Sequence, residues 1–217
     1  MSLKKFTASD KKRITNEWHQ LFPSLGIYKT MHLMNRVGPL IVGLLLEIKS
    51  GGNDYIPTFH VHNLTRPFPV ISLSLATTLN NEYVHLEWHE SRYRELGERM
   101  RNTALIPFDG NLELNDVISG YLQYLDKPTI PYQPQLYEDM ALICGWCGNS
   151  KEMKRILDLA RNDISGWPNQ VQTRIGNIEE WVEKLGEKSS NREFLKSICE
   201  KQINELKVNK IPSRLLK

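Results

Sequence analysis

The sequence predicts an α+β protein: an antiparallel meander in the N-terminal half, packed by an N-terminal helix and a C-terminal helical bundle. Three observations carry that reading. Apolar and polar residues alternate with period two between Arg36 and His89, apolar stripes of helical spacing recur after Ser91, and strong turn signals separate the alternating runs.

The first element is a helix over residues 9–22. Ile14, Trp18, Leu21 and Phe22 recur at helical spacing, Ser9 or Asp10 offers a cap, and Pro23 stops the run. Val37–Ile48 then reads as one apolar strand closed by Ser50-Gly51-Gly52-Asn53-Asp54. In Ile56–Leu64, Phe59 and Val61 point one way while Thr58, His60 and His62 point the other. Arg66-Pro67-Phe68-Pro69 is a loop, and Val70–Ala76 alternates again. After Asn80-Asn81, Val84, Leu86 and Trp88 oppose Tyr83, His85, Glu87 and His89, although residues 82–89 also suit the start of a helix. Leu44, Leu46, Phe59, Val61, Leu73, Leu75 and Trp88 are the expected core of the sheet.

Helices follow at Ser91–Asn102, Leu112–Leu125, Pro134–Cys147, Ser150–Ile164, Ile175–Leu185 and Asn191–Leu206. Gly148-Asn149-Ser150 ends one helix and caps the next, which makes residues 134–164 an αα-hairpin. Three prolines in residues 127–134 mark the best boundary between a sheet-containing region, 1–126, and a helical region, 135–217.

Composition bounds the function. The chain of 217 residues is 40% apolar and 24% charged, a globular rather than disordered balance. The N-terminus lacks an apolar leader, and the longest apolar run, Pro39–Leu46, is far too short to span a bilayer as a helix. With Cys144, Cys147 and Cys199 expected as free thiols, these features point to a cytoplasmic protein without a membrane partner. The net charge is +3, but five basic residues face one acidic residue in the first 13 positions, and the same holds in the last 17. The stretch between holds 18 basic and 23 acidic side chains, so the body is mildly acidic and only the ends are basic. Nucleic-acid readers carry positive charge as a face of the fold, which makes a nucleic-acid partner a poor fit.

The candidate chemistry is a polar sheet face bearing His60, His62, His85, Glu87 and His89. Strand parity gives each histidine pair a common side, with Ser72, Ser74 and Glu47 as possible neighbours. Imidazoles and a carboxylate that converge have the ligand types for zinc, or for a general base near neutral pH. The ordinary alternative is the solvated side of a half-buried sheet, in which case substituting His60 and His62 costs little. His85-Leu-Glu-Trp-His89 is not the H-E-x-x-H of metalloproteases, because its glutamate stands in the wrong place. Cys144-Gly-Trp-Cys147 has C-x-x-C spacing but closes a helix, where thiols gain nothing from the helix N-terminus, so these cysteines read as buried and structural. No nucleotide-binding motif is present and no cofactor is implied.

The class that fits best is a non-enzymatic protein-binding module, including the antitoxin or immunity type that occludes one partner. Glu138 and Asp139 on the acidic body are candidate contacts for a basic partner, with Phe68 and Tyr132 as exposed aromatic anchors. A metal-dependent or His-based hydrolase on the polar sheet face is the alternative, and nucleic-acid binding through the basic ends comes third.

Overall fold

A computed structural model describes residues 5–80, 82–127 and 132–217. The chain is α+β and divides into two compact units. The first comprises residues 1–62, 71–112 and 208–215, and the second residues 63–70, 113–207 and 216–217.

The strand-rich unit opens with α1 (Ala8–Leu21). Its cap is Thr7, two residues before Ser9 and three before Asp10, the caps the sequence suggested. The Thr7 hydroxyl accepts the Asp10 N–H at 3.1 Å, and the Asp10 carboxylate accepts the Thr7 N–H at 2.9 Å. This capping box satisfies two amides that the helix itself cannot reach. The sheet follows as β1 (Gly26–Lys29), β2 (His32–Val37), β3 (Leu40–Ile48), β4 (Asp54–Asn63) and β5 (Ser74–Thr78), in that spatial order. The β1–β2, β2–β3 and β4–β5 pairings are antiparallel. Two short strands extend it: β6 (Val84–His85) pairs antiparallel with β4, and β7 (Ser213–Arg214) runs parallel to β2.

The meander was foreseen, but three of its strands are drawn differently. The apolar run from Val37 to Ile48 is not one strand. Gly38, at φ +55°, turns the chain between Val37 and Leu40, which face each other across a hairpin. Because both arms are apolar, periodicity could not reveal the turn. Val70–Leu73 is not strand, and Leu73 is 40% exposed rather than core. Residues 82–89 supply only β6, then a 3₁₀ turn (Leu86–Trp88) and α2 (His89–Thr103), which leaves Trp88 52% exposed.

One face of the sheet forms the unit's core. Trp18 meets Tyr55 edge-on with ring centroids 6.4 Å apart, and Phe108 lies against both Phe22 and Phe59. Leu44, Leu46, Phe59, Val61 and Leu75 are buried as expected. The opposite face is buried as well, since Met34, Ile41, Thr58, His60 and His62 are all inaccessible. A sheet buried on both faces is what near-continuous apolar strands such as β3 require.

The helical unit contains α3 (Leu114–Leu125), α4 (Pro134–Cys147), α5 (Ser150–Ser165), α6 (Asn169–Ile175), α7 (Ile178–Ser190) and α8 (Arg192–Glu205). The short α6 was not anticipated. Pro134 starts α4, Gly148 at φ +77° ends it, and the Asn149 side chain caps α5 by accepting the Glu152 N–H at 3.0 Å. The expected linker at 127–134 falls mostly on residues 128–131, outside the described ones. In α4, Cys144, Gly145 and Cys147 serve packing. A Cβ on Gly145 would lie 1.9 Å from the Ser189 carbonyl oxygen, so only glycine lets α7 approach this closely. Cys144 and Cys147 are free thiols, and burial pushes Cys144 up to about 12 and Cys147 up to about 11, the opposite of an activated dithiol. No helix among the described residues is long and apolar enough to cross a membrane.

Candidate functional site

The five residues expected to share a polar face do not converge. His60 and His62 do lie on the side opposite Phe59 and Val61, as parity required, but that side is not solvated: His60 is 0% exposed and His62 1%. On β3, Gly43 makes room for the first ring, since a Cβ there would sit 2.3 Å from His60 Nε2. Across that gap His60 Nε2 meets His32 Nε2 of β2 at 2.7 Å. One of the two must donate N–H and the other accept, so at least one imidazole is neutral. Burial drives both that way. It lowers His60 well below its ordinary value, with the neighbouring His32 and His62 adding to the effect, and brings His32 to about 4, helped by Lys29. His60 Nδ1 is buried without a hydrogen-bond partner among the described residues. His62 Nδ1 accepts the Ser72 N–H at 3.1 Å and lies 2.8 Å from the Ser72 hydroxyl, so it is the unprotonated nitrogen.

The other pair parts company. His85 shares the sheet face of His60 but sits at the far end of β4, opposite Asp54 and 3.9 Å from its carboxylate. Its ring packs on Trp88, and Glu87 points into solvent. His89 begins α2 and turns to the core on the other side of the sheet. There its Nε2–H donates to Glu17 at 2.7 Å, Nδ1 accepts the Tyr55 hydroxyl at 2.7 Å, and that oxygen accepts the Trp18 indole N–H at 2.9 Å. Arg13 steadies Glu17 at 3.1 Å. Burial lowers His89, against the pull of Glu17. The chain carboxylate–imidazole–phenol–indole has the order of a catalytic relay. However, its phenol, Tyr55, is fully buried and pushed upward by burial, so it presents no nucleophile to solvent. Among the described residues, no three His, Cys, Asp or Glu side chains are grouped to hold a metal ion.

The candidate partner contacts divide as well. Asp139 is not on an acidic surface: it is 0% exposed, in the interior of the helical unit. Its Oδ1 accepts Arg66 Nε–H and Asn63 Nδ2–H, each at 3.1 Å, and its Oδ2 receives the Tyr121 hydroxyl at 3.4 Å. Burial raises Asp139 to about 6, with Arg66 and Asn63 opposing. Glu138 is half-buried in an ion pair with Lys188 at 3.0 Å. The acidic contacts read from the sequence at Glu138 and Asp139 are therefore framework. The signal was available, since Asp139 lies three residues after Leu136 and four before Ile143, on the apolar stripe of α4.

That framework holds a loop. Asn63 Oδ1 takes the Thr65 N–H at 3.0 Å, Arg66 reaches Asp139, and the Phe68 N–H donates to Gln202 Oε1 at 2.9 Å. Gln202 is itself buried. Beyond these anchors Pro67, Phe68, Pro69 and Val70 stand in solvent, with Phe68 42% and Val70 58% exposed. Two prolines fix φ and bring no N–H that needs a partner, so the segment is stiff without secondary structure. No known protein family matches this sequence, and no curated protein and no solved structure matches it. The loop and its anchors must be read on their own chemistry. Tyr132, 44% exposed, packs its ring against Trp167 at 5.4 Å. His32, Glu17, Tyr55 and Trp167 were not singled out in the sequence. Gly43, alone inside a branched apolar run, was the one hint that something approached β3 closely.

Proposed function

We propose that the chain is a non-enzymatic protein-binding module whose contact surface centres on Pro67-Phe68-Pro69-Val70. The observation that carries this reading is the contrast along one short segment. Buried polar anchors at Asn63, Arg66 and the Phe68 amide hold it, while Phe68 and Val70 are spent on solvent. Exposed apolar side chains on a stiff, anchored loop lose little entropy on docking, which is the property of a binding anchor. The occluding task of an antitoxin or immunity protein is one form of this reading, in which the loop covers a partner enzyme's active site. The alternative hydrolase lacks a converged site, because His60 and His62 are buried on one side of the sheet, His89 is buried on the other, and His85 lies apart at the end of β4.

The test uses the full chain and the double variant Phe68→Ser with Val70→Ser. Both positions are exposed, so unfolding free energy should change by within about 0.5 kcal/mol per substitution. The wild-type chain, immobilised and exposed to lysate of its own organism, should retain one stoichiometric protein that the variant does not. Purified, that protein should bind the wild-type chain at least tenfold more tightly, and an occluded enzyme should lose activity at one equivalent. Equal binding of wild type and variant to the purified partner would contradict the assignment.

A further inference from the structure

We propose that the helical unit carries a site for a methylated ammonium cation, in the cleft walled by Tyr132 and Trp167. The cleft has a volume of about 500 Å³ and opens to solvent, which falls within the range of small-ligand sites. Its walls are two aromatic rings inclined at 60°, with centroids 5.4 Å apart, and neither ring is fully buried. A third ring, Tyr137, is buried 6.3 Å from Trp167, and its hydroxyl donates to the Asp163 carboxylate at 2.6 Å. Asp126 also lines the cleft, and both carboxylates are exposed. They act on one spot: after burial, Asp163 and then Asp126 are what hold the Tyr137 phenol in its neutral form. Among the described residues, no lysine or arginine lines the cleft, and neither carboxylate has an ion-pair partner.

This combination selects a cation class. Aromatic faces attract cations through the ring quadrupole, and most strongly those that shed water easily. A metal ion would need converging oxygen ligands, whereas here the only carboxylates stand beside rings. A primary ammonium is a compact, strongly hydrated charge that gives up water reluctantly. A methylated ammonium has an apolar surface for the rings and a diffuse positive charge for Asp126 and Asp163. The backbone of Tyr132 fits a positioned wall: its φ is +57°. A bulky residue seldom adopts that conformation, which concentrates where surroundings over-determine it, ligand clamps among them. The site is independent of the Pro67–Val70 loop and stands or falls separately.

The test is calorimetric titration of the full chain with tetramethylammonium chloride at constant ionic strength, beside neopentyl alcohol, an uncharged, water-soluble analogue of similar size. The cation should bind saturably with a dissociation constant on the order of 1 mM, and the neutral alcohol should not. Tyr132→Ala should weaken binding at least tenfold. Asp126→Asn, which alters only an exposed carboxylate, should weaken it severalfold and flatten its salt dependence even if the first variant fails to fold. A trimethyl-lysine peptide that binds tenfold tighter than choline would identify a protein tail as the source, and equal binding would identify a small molecule. Absence of saturation by tetramethylammonium, or equal binding of the neutral alcohol, would overturn the proposal.

Discussion

The two units bury ionisable groups on opposite terms. The strand-rich unit takes in imidazoles and keeps them uncharged: His32 and His60 share one hydrogen bond in a space that Gly43 leaves open. The helical unit takes in a carboxylate, Asp139, and surrounds it with a guanidinium, an amide and a phenol. Desolvation penalises the charged form in both places, lowering the bases and raising the acid. A base loses its charge and needs one neutral partner, whereas an acid that stays ionised needs a full set of donors. The comparison shows that polar residues at chemically suggestive spacing can be framework in both units, while the exposed chemistry of the second unit lies in a loop and a cleft that no motif announces.

The largest expected effect comes from breaking the carboxylate's set. Asp139→Ala leaves Arg66, Asn63 and Tyr121 without their common acceptor, and should cost about 3 kcal/mol in chemical denaturation, the scale for removing one partner of a buried pair. A cost below about 1 kcal/mol would mean that Asp139 is no anchor, and the stiffness argued for the Pro67–Val70 loop would go with it.

Acid should separate the units. His32 titrates near 4 in the fold against an ordinary 6.5, so the unfolded chain takes up the proton first and stability falls as pH drops from about 6.5 towards 4. Asp139 behaves in the opposite sense. Its folded value of about 6 lies above the ordinary 3.8, so the fold takes up the proton first. That contribution is complete below about 3.8 and lost as pH rises through about 6. Between pH 7 and pH 5, His32 alone should remove about 2 kcal/mol and Asp139 should return about 1 kcal/mol. Hydrogen exchange corrected for intrinsic rates should therefore show β2, β3 and β4 losing protection before α4. Uniform loss across both units would break the comparison.

How much of this the sequence could disclose depends on the range of the determining interaction. Pro134, Gly148 and Asn149 act within one turn of where they stand, and α4 and α5 begin and end where those residues direct. Strand parity is equally local, and it put His60 and His62 on the correct side of β4. What lies over that side is decided by chain distant in sequence, so a polar face was taken for a wet one. His89 failed for the same reason: alternation continues through residues 82–89, but the chain leaves the sheet after His85 and helix α2 carries His89 to the opposite side. The hairpin at Gly38 was hidden because both of its arms are apolar. Phe68 and Tyr132 are aromatics beside prolines, a local signal of exposure that the fold keeps, whereas the charge of Asp139 does not outweigh the apolar stripe of α4, which carries it inside.

The account rests on the histidines of the sheet being framework, and His60→Ala tests that most directly. A solvated surface residue would tolerate the change within about 0.5 kcal/mol. A buried ring whose loss empties the space above Gly43 and strips His32 of its partner should cost about 2 kcal/mol or more. Urea denaturation at pH 7, comparing midpoints at unchanged slope, should show a clear drop for His60→Ala. A midpoint equal to that of the wild-type chain would contradict the burial of this face and return the histidines to the list of candidate functional residues.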